Sequence, residues 1–326
     1  MNGLDRRGML AGMSAALAAP AWPTASQEPA APADDVQSIQ LFSNLFTRVG
    51  AAAYINGAGP FTFVIDTGAG CTSISDTLAH RLGLKSAAPK LVHGITEARV
   101  TPCVEIDRLL LSGLGFRRLS CPVFPREQLG ADGLLGLDVL GRFKLRFDVG
   151  RRAASLTMRG ISITMGGDAI LNTRLRQGLR SVRGRYGQMI LTQVRADGQP
   201  VAAFIDSGAQ YSIGNRALAR AVSARRPDGL LGAREVPVYG VTGQSLTADL
   251  LRIDDLRLGA ARLGSTPILF ADLHCFETLE LAERPALLIG GDLLGRFREV
   301  TLDFPSNSID FVGLRRPTAP ALDSRS

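Results

Sequence analysis

Lysine, histidine and tryptophan are scarce in this chain of 326 residues. Lysine occurs only at positions 85, 90 and 144, so arginine carries nearly all of the positive charge behind the net charge of +7. The densest basic stretch, residues 173–187, contains one aromatic side chain and no nucleic-acid-binding motif. We therefore interpret it as a solvated connector rather than a nucleic-acid or lipid surface, and we predict no nucleic-acid partner.

Side chains that bind metals are also few. The four cysteines do not have the spacing of a zinc site, and the three histidines, His80, His93 and His274, do not complete one. We therefore predict no metal site. Cys103 and Cys121 flank a hairpin-like segment and can form a disulfide in an oxidising compartment, but buried free thiols fit the sequence equally well.

Long apolar runs are missing, since no segment offers about 20 uninterrupted apolar residues. We therefore predict no stable membrane span after export. At the amino terminus, Arg6 and Arg7 precede an Ala-rich run and the small residues 19–21, which resembles a twin-arginine export signal. This order predicts a periplasmic product, and a disordered tail with a chance arginine pair is the alternative.

The most informative feature of the sequence is an internal repeat. Three landmarks recur in one order: a hairpin that ends in Asp-Thr/Ser-Gly-Ala, a Gly-containing turn, and an apolar-apolar-Gly segment followed by Asp. The landmarks occupy residues 51–75, 91–100 and 132–148 in the first copy and residues 189–214, 236–246 and 286–304 in the second.

The offsets between the copies distinguish duplication from coincidence. The acids are 140 residues apart, the middle glycines 146 and the later glycines 154. Loop insertions account for a drift of this size, so we predict two copies of one domain. The predicted divisions are a signal (1–25), a spacer (26–44), a first lobe (45–160), a connector (161–185), a second lobe (186–314) and a polar tail (315–326).

Within each copy, the short apolar runs between Gly, Asn or Pro turns predict a mainly β architecture. We expect brief helices near residues 76–84 and 215–222, and a helical turn after each apolar-apolar-Gly segment. Asp138 and Asp292 recur at those turns, and we interpret them as structural residues that cap the helix.

Residues 65–69 (Ile-Asp-Thr-Gly-Ala) and 205–209 (Ile-Asp-Ser-Gly-Ala) each follow an apolar strand. One such motif is a weak signal, but two copies, each followed by an apolar-apolar-Gly segment, are specific. On these motifs the chain resembles the retropepsin-like aspartic peptidases over nearly all of both repeats. The resemblance implies an all-β fold of two retropepsin-like β-barrel lobes, related by an internal pseudo-twofold axis within one polypeptide.

The resemblance also implies that Asp66 and Asp206 form a catalytic dyad, with one acid from each lobe. Facing carboxyls cannot both ionise, so the pair would share a proton and activate a water without a metal or other cofactor. Many pepsin-like members carry a hydroxyl that lowers the acid's pKa where this chain has Ala69 and Ala209. We therefore expect a less acidic pH optimum than that of a pepsin-like enzyme.

The residues next to the acids are expected to support the dyad. The resemblance implies that Thr67 and Ser207 hydrogen-bond across the two loops. Gly68 and Gly208 permit a tight turn and a close approach of the backbone to the acids.

Two further glycine turns are interpreted as flaps that fold over an extended peptide. The first carries His93 and Gly94, and the second carries Tyr239 and Gly240. For His93, an ordinary position in a surface turn is the alternative to substrate binding.

These observations predict an aspartic endopeptidase that acts on peptide or protein substrates as a monomer, with its two lobes paired inside one chain. Three alternatives share the same motifs. The acids can be ordinary turn residues, the cleft can belong to a non-catalytic periplasmic peptide-binding protein, or the chain can be a structural partner in an envelope assembly. Each repeat can also pair with a repeat of another chain.

Overall fold

The chain folds mainly into β-strands, as its short apolar runs predict. The computed structural model describes residues 50–149, 151, 153–158, 161–165, 179–224, 234–240 and 243–315. The predicted signal and spacer, and the predicted tail beyond residue 315, lie outside the described residues. Within the described ranges the longest helix has eight residues, and none is long and apolar enough to span a membrane.

The first repeat has seven strands, six of which close into a barrel. Its strands are β1 (Gly50–Ile55), β2 (Ala58–Ile65), β3 (Ser73–Ser75), β4 (Ser86–His93), β5 (Ala98–Leu111), β6 (Leu114–Phe124) and β7 (Gly133–Leu135). The barrel order is β1-β2-β7-β3-β6-β5, and pairing of β1 with β5 closes it, while β4 adds to the outer edge of β5. Asn56 and Gly57 turn β1 into β2 with positive φ at both residues, the geometry of a tight hairpin.

The second repeat builds the same barrel. Its strands are β12 (Met189–Ala196), β13 (Gln199–Ile205), β14 (Ile213–Gly214), β15 (Arg234–Tyr239), β16 (Ser245–Leu258), β17 (Ala261–Phe270) and β18 (Ala286–Ile289). The order β12-β13-β18-β14-β17-β16 and the closing pair β12–β16 match the first barrel strand for strand, with β15 in the place of β4. Asp197 and Gly198 form the equivalent hairpin turn. The predicted pair of retropepsin-like lobes is therefore confirmed.

A shared sheet connects the lobes. It contains β8 (Lys144–Asp148), β9 (Ala153–Met158), β10 (Ile161–Met165), β11 (Leu179–Arg183), β19 (Phe297–Asp303) and β20 (Ser308–Leu314). At its centre β8 of the first repeat pairs antiparallel with β19 of the second, and Arg146 lies opposite Thr301. The segment predicted as a connector, residues 161–185, includes β10 and β11.

Six short helices occur among the described residues. They are α1 (Asp76–Arg81), α2 (Arg126–Leu129), α3 (Leu137–Leu140), α4 (Arg216–Ser223), α5 (His274–Thr278) and α6 (Gly291–Leu294), and all but α2 and α5 lie at the predicted places. The Ser75 side chain caps α1 by accepting from the N–H of Leu78, and Asn215 caps α4 in the same way from Leu218. These caps hold the equivalent helix at the same point of each barrel.

The core fixes the strands that end at the two acids. β2 pairs in parallel with β7, and β13 pairs in parallel with β18, so both strands lie inside their sheets. Phe63 and Ile65 are fully buried, and they belong to an apolar cluster that continues through Phe147 of the shared sheet to Ile205 in the second lobe. This continuous packing places the ends of β2 and β13 in one region of the molecule.

Candidate active site

Asp66 and Asp206 directly follow the buried strands β2 and β13. The N–H of Asp66 donates to the carbonyl of Leu135 at 3.0 Å, and the N–H of Asp206 donates to the carbonyl of Ile289 at 3.0 Å. Asp206 is only 6% exposed, while Asp66 is partly exposed. Each acid is therefore anchored to the apolar-apolar-Gly segment of its own lobe.

The loop after each acid folds back onto its carboxyl group. Gly68 and Ala69 donate their N–H groups to Asp66 Oδ1 at 2.9 and 3.1 Å. In the second lobe the N–H groups of Gly208 and Ala209 donate to Asp206 Oδ1 at 3.0 and 3.1 Å. One oxygen of each acid is thus held by backbone amides, which supply part of the stabilisation that a buried carboxylate needs.

The two acids face each other across the lobes. Their carboxyl groups are close enough for each to affect the pKa of the other. A Cβ atom added to Gly68 would lie 2.4 Å from Asp206 Cγ, and one added to Gly208 would lie 2.6 Å from Asp66 Cγ. Glycine is therefore required at both positions because the backbone of each lobe touches the acid of the other.

Thr67 and Ser207 form a reciprocal set of hydrogen bonds beneath the acids. The N–H of Thr67 donates to Ser207 Oγ at 3.1 Å, and the N–H of Ser207 donates to Thr67 Oγ1 at 3.0 Å. Each hydroxyl then donates across the lobes, Thr67 to the carbonyl of Ile205 at 3.2 Å and Ser207 to that of Ile65 at 3.1 Å. Both side chains are buried. This four-bond set, hereafter the loop lock, fixes one lobe against the other at the site.

The electrostatics of the pair favour one shared proton. Burial raises the pKa of Asp66 above its ordinary value, against the opposing effect of the Ala69 and Gly68 amides. Burial and the negative charge of Asp66 raise the pKa of Asp206 to about 8. Two carboxyls this close cannot both ionise easily, so the raised pKa values favour a pair that retains one proton.

Asp138 and Asp292 are not the N-cap residues of α3 and α6, which are Gly136 and Gly290. Each acid nevertheless accepts from an N–H in the first turn of its helix, Asp138 from Val139 at 2.9 Å and Asp292 from Leu293 at 2.7 Å, so the predicted capping contact is present in part. Asp138 also accepts bonds from the N–H and the hydroxyl of Thr72, at 2.9 and 2.7 Å.

Asp292 has the equivalent contact in the second lobe, because it accepts from the hydroxyl of Ser212 at 2.5 Å. Burial raises the pKa of both supporting acids, and the bonds from Thr72 and Ser212 oppose that rise. These two acids therefore anchor the chain just after the loops that carry Asp66 and Asp206.

Comparisons with known proteins agree with this geometry. The family model described as aspartyl protease matches residues 51–139 and 192–293, which together are more than half of the chain. The chain belongs to the aspartyl protease family. It is also similar to a solved structure, a retropepsin-like aspartic protease from Rickettsia conorii, with 22% sequence identity and a TM-score of 0.24. The similarity covers 30% of this chain and 74% of the Rickettsia chain. No curated protein matches the chain.

Both lobes of this aspartyl protease carry a flap. The first flap joins β4 to β5, and its turn is closed by a bond from the N–H of Gly94 to the carbonyl of Glu97 at 2.8 Å. The second joins β15 to β16, with a bond from Gly240 to Gln244 at 2.9 Å. A Cβ atom on Gly240 would lie 2.5 Å from Thr96 Oγ1, so the two flap tips touch.

Two cavities border the acids of the protease, and both are lined by Asp66 and Asp206. The first, about 370 Å³, lies under the first flap, and its apolar walls include Leu91, Ile95, Phe124, Leu134, Phe204 and Leu279. The second, about 820 Å³, lies under the second flap and is lined in part by the polar side chains Glu127, Gln128, Gln210, Tyr211 and Tyr239. An extended peptide passing between flaps and acids would therefore meet different walls on its two sides.

The predicted flap residues lie at these cavities. His93 and Gly94 line the first cavity, and Tyr239 and Gly240 line the second. Tyr239 is 72% exposed, which leaves its ring free to contact a bound chain.

Several site residues have no signal in the sequence. Gln188 crosses the lobes to donate from Nε2 to the carbonyl of Gly68 at 3.4 Å, and its buried Oε1 has no partner among the described residues. Cys71 and Cys275 line the first cavity as free thiols. Burial raises the pKa of Cys71 to about 11, and burial with the charge of Asp206 raises the pKa of Cys275.

All four cysteines are free, so the disulfide considered between Cys103 and Cys121 is not formed. Among the described residues no group of three or more His, Cys, Asp or Glu side chains is arranged to hold a metal ion.

Proposed function

We propose that the chain is an aspartic endopeptidase in which Asp66 and Asp206 activate a water molecule against a peptide bond. The observation that carries this proposal is the pair of carboxyls that face each other across the lobes, each in contact with the opposite lobe's glycine. The carboxylate takes a proton from the water, whose oxygen attacks the scissile carbonyl, while the carboxylic acid protonates the carbonyl oxygen. The resulting diol collapses as the C–N bond breaks and the nitrogen takes up a proton.

We further propose that the lobes pair within one chain, so that a monomer is active. The loop lock and the pairing of β8 with β19 both support this arrangement, because they hydrogen-bond one repeat to the other. The substrate would be an extended peptide held between flaps and acids, with an apolar side chain in the first cavity.

The test is to incubate the purified protein with a random peptide library, alongside Asp66→Asn and Asp206→Asn. We expect the parent to cleave peptides. Each variant should lose activity by about 10²–10⁴-fold, the usual contribution of general acid–base catalysis. Peptide binding by all three proteins without cleavage would instead support the non-catalytic peptide-binding protein.

We also propose that the amino-terminal segment with Arg6 and Arg7 directs export to the periplasm, on the basis of its sequence order. Fractionation of cells that express the parent chain and the Arg6→Lys, Arg7→Lys double variant tests this. We expect the parent in the periplasmic fraction and the variant in the cytoplasm. The same distribution for both proteins would contradict the proposal.

A further inference from the structure

The first flap is tied to the opposite lobe by two histidines. His93, the last residue of β4, lies 2.9 Å from His274, the first residue of α5, measured from Nδ1 to Nε2. The ring planes differ by 13° and the ring centres are 5.2 Å apart. Because the two nitrogens lie much closer together than the ring centres, the imidazoles meet edge to edge in a hydrogen bond.

This contact lies at the mouth of the first cavity. His93 lines that cavity, and so does Thr278 in the same helix as His274. The flap is also held at its tip, where Thr96 meets Gly240 of the other flap. A peptide that enters the first cavity must therefore displace a flap that is attached to the second lobe at two points.

The hydrogen bond between the imidazoles depends on the number of protons that the pair holds. A neutral pair has one N–H and one lone pair at the contact, and a singly protonated pair can keep the same arrangement. In the singly protonated form His274 donates from Nε2 to His93 and from Nδ1 towards Glu277, whose Oε2 is 3.5 Å away. When both rings are protonated, two N–H groups and two positive charges face each other and the bond is lost.

The groups around the pair are few. Thr278 Oγ1 lies 3.2 Å from His274 Nε2, and the ring of Tyr186 lies 5.7 Å from that of His93. Partial desolvation of the exposed ring, the charge of His274 and the charge of Arg185 lower the pKa of His93. Glu277 is the acid facing the pair among the described residues. The lowered pKa favours the neutral form of His93, which the hydrogen bond between the imidazoles requires.

We propose that His274 positions the first flap through His93, holding it closed over the first cavity at neutral pH and releasing it when both imidazoles are protonated. The consequence for substrate entry rests on the proposed peptidase function, but the flap movement itself does not. His93 is exposed, so solvent competes for the bond and the effect is modest. We expect removal of the contact to increase flap opening about threefold.

The chain has only three histidines, which makes the titration directly observable. His80 lies exposed on α1, away from the cavities. The variant His80→Ala therefore leaves His93 and His274 as the two histidines of the chain. In NMR titrations of this variant we expect His93 to titrate below about pH 6.5 and its signals to respond to the protonation of the partner ring. Two independent transitions at the ordinary imidazole pKa would overturn the proposal.

Hydrogen–deuterium exchange of residues 86–98 measures flap opening without any peptidase activity. At about pH 7.5 we expect this segment to exchange about threefold faster in His274→Ala than in the parent, while the matched control His80→Ala exchanges like the parent. At about pH 5 the parent and His274→Ala are expected to exchange alike. His93→Ala removes the same contact from the flap side and is expected to behave as His274→Ala does.

Equal exchange in the parent and both variants at about pH 7.5, or a difference that persists at about pH 5, would overturn the proposal. If cleavable peptides are found, kcat/KM should rise about threefold in His274→Ala at about pH 7.5, mainly through KM. If the exchange differences are as expected but no peptide is cleaved, the proposed peptidase function would be contradicted and the proposed role of the histidine contact would remain supported.

Discussion

At the scale of single residues, the site depends on groups that come within contact of the opposite lobe. Gly68 and Gly208 leave no room for a side chain because each touches the other lobe's acid. The amides that follow hold one oxygen of each acid, and the proposed mechanism uses the other oxygens to share a proton and activate a water. The chemistry of the site is therefore set by backbone placement as much as by the acids.

In the proposed mechanism, the raised pKa of Asp206 would set the alkaline side of the activity profile. Above about pH 8 the pair would lose its retained proton, and no carboxylic acid would remain to protonate the scissile carbonyl. We expect kcat to fall as the pH rises through about 8 and to fall again in acid when the second carboxyl takes up a proton. Steady-state rates with one cleaved peptide across the pH range measure this, and a maximum near pH 2 would contradict it.

The same shift makes the folded state sensitive to pH. The pKa of Asp206 is higher in the folded than in the unfolded chain, so the folded state binds more protons between about pH 4 and pH 8. The free energy of unfolding therefore decreases as the pH rises through that window. Below about pH 4 Asp206 is protonated in both the folded and the unfolded state. The penalty for keeping Asp206 protonated in the folded state then disappears.

Asp206→Asn removes this penalty because an amide cannot ionise, yet its oxygen can still accept from Gly208 and Ala209. We expect the variant to be more stable than the parent by on the order of 2 kcal/mol at about pH 7, and equally stable at about pH 3. Urea unfolding at both pH values tests this. A variant that is less stable than the parent at about pH 7 would show that the buried Asp206 does not lower the free energy of unfolding.

Sequence reasoning finds the residues that repeat and misses those that do not. Asp66 and Asp206 are visible because each ends an apolar strand in a duplicated motif. His274 and Gln188 come from segments without a matching landmark, and only the folded arrangement of the lobes brings them to the site. Sequence cannot show such contacts, because they join positions far apart in the chain.

At the scale of elements, the two barrels follow from hairpins, parallel central strands and side-chain caps that recur in both repeats. The predicted helices at α1 and α4 form because Ser75 and Asn215 cap them. The prediction for Asp138 is correct only in part, because Gly136 is the N-cap residue of α3 and the carboxylate accepts from Thr72 as well as from the first-turn N–H of Val139. A carboxylate beside a short helix does not show from sequence whether it caps that helix or anchors another loop.

The loop lock is the element whose loss should be most costly. Ser207→Ala removes the acceptor for the N–H of Thr67 and the donor to the carbonyl of Ile65 in a buried setting. We expect a loss of about 1–3 kcal/mol in the free energy of unfolding, together with a lower kcat. Thermal and urea unfolding measure the stability.

Two variants control this prediction. Ser207→Thr keeps the hydroxyl and is expected to preserve most of the stability, since threonine already occupies the equivalent place in the first lobe. Ser306→Ala removes an exposed hydroxyl and should change stability by less than about 0.5 kcal/mol. A Ser207→Ala variant as stable as the Ser306→Ala variant would contradict a structural role for the lock.

At the scale of the whole molecule, the duplicated lobes meet in the shared sheet and at the acids. The sequence predicts the duplication but assigns β10 and β11 to a connector. Residues 161–165 do alternate between apolar and polar side chains, as a strand does, whereas residues 179–183 lie in the arginine-rich stretch and show no alternation. Pairing with neighbouring strands decides the structure of β11, and that information lies outside its own sequence.

Pairing within one chain predicts activity that does not depend on protein concentration. Both acids belong to a single polypeptide, so dilution cannot separate them. We expect the rate per mole of protein to stay constant over a thousandfold dilution, with gel filtration giving a monomer. A specific activity that falls on dilution, with a dimer at high concentration, would show that lobes pair between chains.

The unequal cavities give the cleft a direction. In a symmetric homodimer one gene encodes both walls, and a substitution in one wall appears in the other. In this chain each wall is encoded separately, so the smaller chamber and the larger one, which has more polar side chains, are free to diverge. Under the proposed function the protein would select one kind of side chain before the cut and another after it, and a peptide bound in the reverse direction would present each residue to the wrong wall.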